Sequence, residues 1–391
     1  MKRFSAQYII TNSGPPLKRA IITTLDDGTI TDIEDTRGSL PEKNSVEFYN
    51  GIIIPGFVNC HCHLELSHMK KAIRNGMGLT AFIDQVRNTR AAGNESMVSA
   101  AKSADQDMYS AGVNLCADIC NTSLTFDIKK ESRISYLNLL EVFGIDPARA
   151  GRRMEEIGKT AGLAGEMNLP FSIVPHSVYS LSLTLFRLLR EATSNNRITS
   201  LHFMETASEA ELVENHSGPL MESYIKSGLI SSGIETVKSH SDAVLNEITP
   251  NGNLILVHNT FADTDSIRNI QQRGNLYWCL CPNSNLYIEN RIPPAGLLMD
   301  EGCNIVTGTD SLASNYKLDI LEELKTLQHH FPSLTIQILV AWATSNGAKA
   351  LGEQERFGTI EPGKKPGLLL LQDVDLQNMK LLPDSSVKRL V

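Results

Sequence analysis

The chain has 391 residues, 41% of them hydrophobic and 20% charged, with a net charge of −8. That suits a folded protein with a core large enough to need no disulfide staples. The negative balance argues against nucleic acid or an anionic membrane as a partner, and no window approaches the roughly 20 apolar residues of a membrane span.

Residues 1–54 read as short strands without a helix period. Segments 8–11, 19–24, 29–33 and 46–49 are rich in β-branched and aromatic residues, and Asp26-Asp27-Gly28 is a hairpin signal between the second and third. From residue 56 the pattern changes to apolar strand followed by helix, repeatedly. The strands are expected at 56–63, 113–119, 135–143, 171–175, 199–204, 254–258, 276–281 and 304–307. Helical segments at 79–92, 96–110, 148–166, 183–193, 207–227 and 263–273 separate them. Strands alternating with helices of that length predict βαβ units and a parallel sheet, here an α/β protein with a (β/α)8 TIM-like barrel. A last helix covers 334–351, a turn 358–364, and a strand 368–372. That strand lies too far from the repeat to be a ninth stave and is expected to rejoin the N-terminal strands. The expected organisation is a small composite β-sandwich domain from 1–55 and 356–391, and a barrel over 56–355.

The most informative stretch is Asn59-Cys60-His61-Cys62-His63-Leu64-Glu65, which ends the first barrel strand. Alternate side chains of a strand share a face, so His61 and His63 are expected on one side and Cys60 and Cys62 on the other. Two imidazoles two residues apart can reach one cation. Catalytic side chains of such barrels stand at the C-terminal strand ends. There the sequence also places His176, His202 with Glu205, His258, and Asp310 with Ser311. Three imidazoles and one carboxylate suit one divalent ion, Zn2+ in first place and Fe2+ as the alternative. His61, His63, His202 and Asp310 are the expected ligands, leaving a position for a water whose pKa the metal lowers toward about 7. Glu205 is placed to shuttle the water's proton and His258 to orient the water or polarise the substrate. His176 can donate to a substrate heteroatom, and Ser311 and Glu65 stand where they can meet the substrate.

These blocks, with Val174-Pro175-His176-Ser177-Val178-Tyr179-Ser180, Gly308-Thr309-Asp310-Ser311 and the C-terminal Ala343-Thr344-Ser345-Asn346-Gly347-Ala348, resemble the amidohydrolase superfamily. The resemblance is to its branch of cytosine, guanine and adenosine-type deaminases and triazine hydrolases, and it runs in order over nearly the whole chain. It implies a distorted barrel with a composite β-sandwich, one metal, and hydrolytic deamination of a purine, pyrimidine or pterin, free or as a nucleoside, with release of ammonia. Leu64-Glu65-Leu66-Ser67 resembles members acting on 6-amino-deoxyfutalosine. A homodimer is a common arrangement among such proteins. Two departures are visible. Pro366-Gly367-Leu368 replaces the Ala-Asp-Leu of many members, and strand 4 ends in Pro175-His176 without the carboxylated lysine of two-metal relatives.

Competing readings keep the site and change its use: chloride or an amide amine as the leaving group, or a non-catalytic barrel scaffold. The loops 69–79 and 282–294 are the expected pocket walls. His68 and His240 read as surface or loop residues, and His216, His329 and His330 as lying in helices or at their edges. The seven cysteines, odd in number and mostly in apolar segments, read as reduced, buried thiols. With no hydrophobic stretch of signal-peptide length in residues 1–7, the expectation is a cytoplasmic enzyme acting on a small molecule.

Overall fold

Both chain ends contribute strands to one sheet in a computed structural model that describes residues 1–39, 45–230, 234–249 and 251–391. Strand β1 (Lys2–Ile9) pairs antiparallel with β2 (Leu17–Lys18) and β3 (Ile21–Thr24), and parallel with β5 (Val46–Pro55). β4 (Ile30–Glu34) closes a hairpin on β3 around the Asp-Asp-Gly turn. From the far end of the chain, β14 (Leu368–Asp375) pairs with β5 and β15 (Lys380–Arg389) pairs with β14. The result is a seven-stranded sheet. Its apolar face is built from Ile22, Ile53, Leu368 and Leu370. The segment that forms β15 carries Pro383 and a polar run, which a strand tolerates only at a sheet edge, where β15 lies.

Between these ends run parallel strands. β6 (Phe57–Cys62), β7 (Val113–Cys120), β8 (Ser135–Val142) and β9 (Phe171–Pro175) form one four-stranded sheet. β10 (Ile198–Phe203), β11 (Asn253–His258), β12 (Leu276–Leu280) and β13 (Ile305–Thr307) form another. Backbone bonds link the two sheets at both edges. The His202 amide donates to the His176 carbonyl at 2.8 Å, and the Thr309 and Asp310 amides both donate to the His61 carbonyl at 3.0 Å. Parallel bridges Ser177↔His202 and Cys62↔Asp310 sit at the same two seams.

Helices α1 (Leu79–Thr89), α2 (Asn94–Ser110), α4 (Ala150–Glu166) and α5 (Leu183–Ala192) follow the expected order, and a short α3 (Phe126–Glu131), not expected from the sequence, lies between β7 and β8. The single helix expected at 207–227 is two, α6 (Ser208–Asn215) and α7 (Gly218–Lys226). His216 turns left-handed at φ 51° and Gly218 follows at φ 88°, which ends one helix and starts the next. The segment 334–351 also divides, into Ile336–Ala343 and Ser345–Ala350, because Thr344 leaves the helical region at φ −140°. Among the described residues no helix is long and apolar enough to cross a membrane.

The expectation that Cys60 and Cys62 share a face is corrected. Cys60 packs with Val58, Ala117 and Cys279 between the strands, whereas Cys62 packs outward with Cys116 and Met108. The register of β6 against β7 shifts between Asn59 and Cys62. Such an irregularity breaks the strict two-residue alternation, so His61 reaches the strand end from a different phase than Cys60 below it. Both thiols are buried and free.

Directly beneath the site, Lys129 of α3 is buried 2.5 Å from Asp118 Oδ2, while Asp118 Oδ1 accepts from the Leu64 amide at 2.7 Å. The ion pair thereby anchors the residue that follows His63. Removing one partner of a buried pair leaves an uncompensated charge. Lys129→Met is therefore expected to destabilise the fold by about 3–5 kcal/mol in urea unfolding, and Lys129→Met with Asp118→Leu to recover part of that loss.

Candidate active site and metal centre

His61 lies near the end of β6 and His63 just beyond it, His202 lies near the end of β10, and Asp310 follows β13. Their donor atoms converge. His61 Nε2 lies 3.1 Å from His63 Nε2 and 3.6 Å from Asp310 Oδ1, and His63 Nε2 lies 3.3 Å from the same oxygen. One ring nitrogen from each of His61, His63 and His202 falls within 4.8 Å of the others. All four residues are buried. The remaining polar atoms are largely committed elsewhere: His202 Nδ1 sits 2.9 Å from the His176 carbonyl, and Asp310 Oδ2 accepts from the hydroxyls of Ser284 and Ser314 at 2.6 Å each.

Electrostatics agree with a cation site. Burial, then the neighbouring imidazoles, holds His63 and His202 well below the usual histidine range, so both rings are neutral. Burial alone would raise Asp310, but the hydrogen bond from His61 and the nearby imidazoles override it and keep the carboxyl well below its ordinary range. Neutral imidazole and ionised carboxylate are the forms that ligate. The donor set therefore fits a divalent ion.

The backbone is bent to aim these groups. His258 and Asp310 adopt left-handed conformations at φ 78° and 56°. Non-glycine residues hold such angles at a cost and concentrate at functional sites. Gly308 approaches so closely that a Cβ there would lie 2.8 Å from His61 Cβ.

Beside the cluster, Glu205 Oε1 lies 3.5 Å from His258 Nε2, and Glu205 Oε2 accepts from the Tyr179 hydroxyl at 3.1 Å. Asn285 Nδ2 lies 3.2 Å from His258 Nδ1, which turns Nε2 toward Glu205. Burial, then the carboxylates of Glu209 and Asp310, raises Glu205 well above the usual range. His176 stacks on His202 with ring centroids 4.5 Å apart, and its Nδ1 meets Ser177 and Ser180 hydroxyls at 2.9 and 2.7 Å. Burial lowers His176 to about 4 and His258 to about 3. His63, His176, Glu205, His258, Asp310 and Ser311 face one cavity of ≈ 200 Å³.

Residues 52–390 match the amidohydrolase family. The chain belongs to that family. It is 27% identical over 349 residues to an adenosine deaminase of Helicobacter pylori, covering 87% of this chain and 83% of that one. Its fold matches the crystal structure of Helicobacter pylori aminofutalosine deaminase in complex with methylthio-coformycin, with TM-score 0.79 and 22% identity over 96% of this chain and 93% of that one. It also matches atrazine chlorohydrolase from Arthrobacter aurescens complexed with zinc, with TM-score 0.72 and 16% identity over 98% and 89% of the two chains.

Several residues of this amidohydrolase stand apart from their expected places. Glu65 is outside the cavity lining: its Oε1 accepts from Arg90 at 2.8 Å and the Asn121 amide at 3.1 Å, and its Oε2 from the Thr122 hydroxyl at 2.9 Å. Its oxygens accept from protein donors, so in this structure it braces the neighbouring loop. His68 caps that brace, half-buried against the Glu65 and Arg90 carbonyls at 3.2 Å. His240, expected at the surface, is buried 2.9 Å from Glu209. Glu209 in turn accepts from the Glu205 and Thr206 amides at 2.6 and 3.2 Å and so fixes the Glu205 loop. The pocket wall is not segments 69–79 and 282–294 but one face of α1 and its C-cap, Phe82, Ile83, Val86, Arg87 and Arg90. Helix Pro282–Glu289 instead supports the site from behind through Ser284 and Asn285. Glu141, at the end of β8, lines the cavity and went unnoticed in the sequence. Applying the strand-end rule to Leu139-Leu140-Glu141-Val142 as strictly as to the histidine-bearing strands would have found it.

His61→Ala and Asp310→Asn are each expected to lower bound metal below a tenth of an equivalent by elemental analysis. Glu65→Gln is expected to leave metal content unchanged.

Proposed function

We propose that the protein is a metal-dependent hydrolytic deaminase acting on an aminated heterocycle, with an adenine nucleoside as the substrate class. The observation that carries this reading is Glu205, a buried carboxyl set between Tyr179 and His258 in the same cavity as His63, His202 and Asp310. The deaminase relative at 27% identity supports the substrate class. An aminodeoxyfutalosine-type nucleoside is the favoured member of that class, in keeping with Leu64-Glu65-Leu66-Ser67 and with the name of the structural neighbour at TM-score 0.79.

His61, His63, His202 and Asp310 are assigned as ligands of one divalent ion. Zn2+ is favoured because that donor set suits it and the chlorohydrolase neighbour carries zinc; Fe2+ is the alternative. When bound, the ion supplies the Lewis acidity that makes water a nucleophile near neutral pH. Glu205 takes a proton from that water and passes it to a ring nitrogen of the substrate. Burial, then the carboxylates of Glu209 and Asp310, raises its pKa, which favours a carboxyl able to give a proton as well as accept one. His258, neutral and facing Glu205 Oε1, orients the water. His176, held through Nδ1 by two serine hydroxyls, presents its other nitrogen to a second heteroatom of the ring. The second water proton goes by way of Glu205 to the amino nitrogen, so that the C–N bond breaks with loss of ammonia and the water oxygen ends as the ring carbonyl. A second ion is disfavoured by the absence of a lysine at Pro175-His176 and by the engagement of His202 Nδ1 with a carbonyl.

The same reading includes the architecture. Eight parallel strands bonded at both seams support a single (β/α)8 barrel over 56–355. The sheet that unites β1–β5 with β14 and β15 supports a composite β-sandwich domain over 1–55 and 356–391.

The test is ammonia release by the metal-loaded protein from a panel of aminopurines, aminopyrimidines and their nucleosides. Turnover of an adenine nucleoside is expected, and no turnover of any compound would refute the reading. Glu205→Gln is expected to retain metal and lose at least roughly a hundredfold in kcat, the lower end for a general acid–base residue. Full activity of that variant would remove Glu205 from the proton path.

A further inference from the structure

The cavity lined by His63, His202 and Asp310 adjoins a second one of ≈ 300 Å³. Arg90, Asn121, Glu141 and Phe143 line both, and the second reaches Arg153 and Ile157 of α4. These four residues form a sill between the two spaces. Glu141 is the acidic member of the sill, and only 4% of it is exposed. Its Oε2 accepts from Asn121 Nδ2 at 2.9 Å, but its buried Oε1 has no hydrogen-bond partner.

Nearby donors do not meet that need. His202 Nδ1 is 3.6 Å away and is already engaged with the His176 carbonyl at 2.9 Å. Arg90 Nη2 is directed to Glu65 Oε1 at 2.8 Å and Asn121 Oδ1 at 3.1 Å. A ring nitrogen of His176 and one of His202 lie within 4.8 Å of a Glu141 oxygen, a possible ligand triad. An ion there would have to take His202 from the first cluster or break its carbonyl bond. A buried acceptor left unpaired costs as much as a lost hydrogen bond or more, so a donor arriving with the ligand is the economical solution.

On an adenine nucleoside the donors are the amino group and the sugar hydroxyls. The amino group is the one lost, and it faces the four donors. The hydroxyls remain, and with the base in the first cavity the adjoining second cavity, which shares the four residues of the sill, offers the sugar a place there. Resting on the deaminase reading, we propose that Glu141 is a substrate-binding residue that accepts a hydrogen bond from a ribose hydroxyl, so that the enzyme selects nucleosides over free bases. Asn121, tied to Arg90 and through it to Glu65, positions the carboxylate for that contact.

The experiment is a cycle between protein and substrate, in which coupled partners fail to add. Wild type, Glu141→Leu and Glu141→Gln, each metal-loaded, are assayed for ammonia release and for calorimetric binding with adenosine, 2′-deoxyadenosine, 3′-deoxyadenosine and adenine. Wild type is expected to lose roughly ten- to a hundredfold in kcat/KM on one of the two deoxynucleosides, the range for a hydrogen bond to a charged group. Glu141→Leu is expected to lose the same factor on adenosine and nothing further on that deoxynucleoside, with metal content unchanged. Glu141→Gln keeps a neutral acceptor and the same shape, so it is expected to show a smaller loss with the same hydroxyl dependence, and it carries the test should the leucine variant not fold. Equal losses on every nucleoside, a loss confined to adenine, or loss of metal would each overturn the proposal. If the wild type releases no ammonia yet its binding shows the same cycle, the sugar contact stands and the deaminase reading falls. If no compound binds, both fall.

Discussion

The site depends on the seam where the first and last parallel strands meet. His61 is separated from Asp310 by most of the chain, and no local propensity could bring them together. Their approach is fixed by backbone bonds: the amides of Thr309 and Asp310 both reach the His61 carbonyl at 3.0 Å. Asn59, fully buried, ties the same seam with its side chain, donating to the Thr309 hydroxyl at 2.8 Å and accepting from the Thr309 amide at 3.2 Å. Gly308 permits this closeness, since any Cβ there would collide with His61. A proposed ligand and its distant partner are thus brought together by one set of main-chain constraints, fixed before anything binds.

The opposite seam works the same way for the second half of the site. The His202 amide and ring both point at the His176 carbonyl, at 2.8 and 2.9 Å. One peptide oxygen therefore sets the position of a strand and the tautomer of a proposed ligand, the outer-shell role common to metal-bound histidines. Behind Glu205, the Glu209 carboxylate and buried His240 do the equivalent for a loop: they hold two amides that the loop cannot satisfy internally. Rigid support explains how a residue one turn beyond a strand end can be placed as firmly as one within it.

Much of this was legible in the sequence because strand ends are legible. Apolar runs located β6 through β13 to within a residue or two, and polar residues that interrupt an apolar run at its end are conspicuous. What escaped were features decided by tertiary contact. The shift in β6 that sends Cys60 and Cys62 to different cores depends on its pairing with β7. His240 is buried because Glu209 needs a partner, a demand invisible 31 residues away. Glu65 looked like a pocket residue by proximity to His63, but Arg90 and Thr122 claim its oxygens. The pocket wall was missed because the face of α1 that lines it is set by where the helix docks, and an amphipathic pattern reads equally well as core.

The charge balance of the cavity argues for a cation independently of any resemblance. Asp310, Glu205 and Glu141 are all buried around it, and Arg90 is already paired with Glu65. Burial pushes Glu141 up to about 7 and drives Glu205 well above its ordinary range. Asp310 behaves oppositely: its hydrogen bonds and neighbouring imidazoles keep it ionised. A divalent ion beside Asp310 would favour the charged forms of the other two, in which Glu205 can take a proton and Glu141 can accept a hydrogen bond.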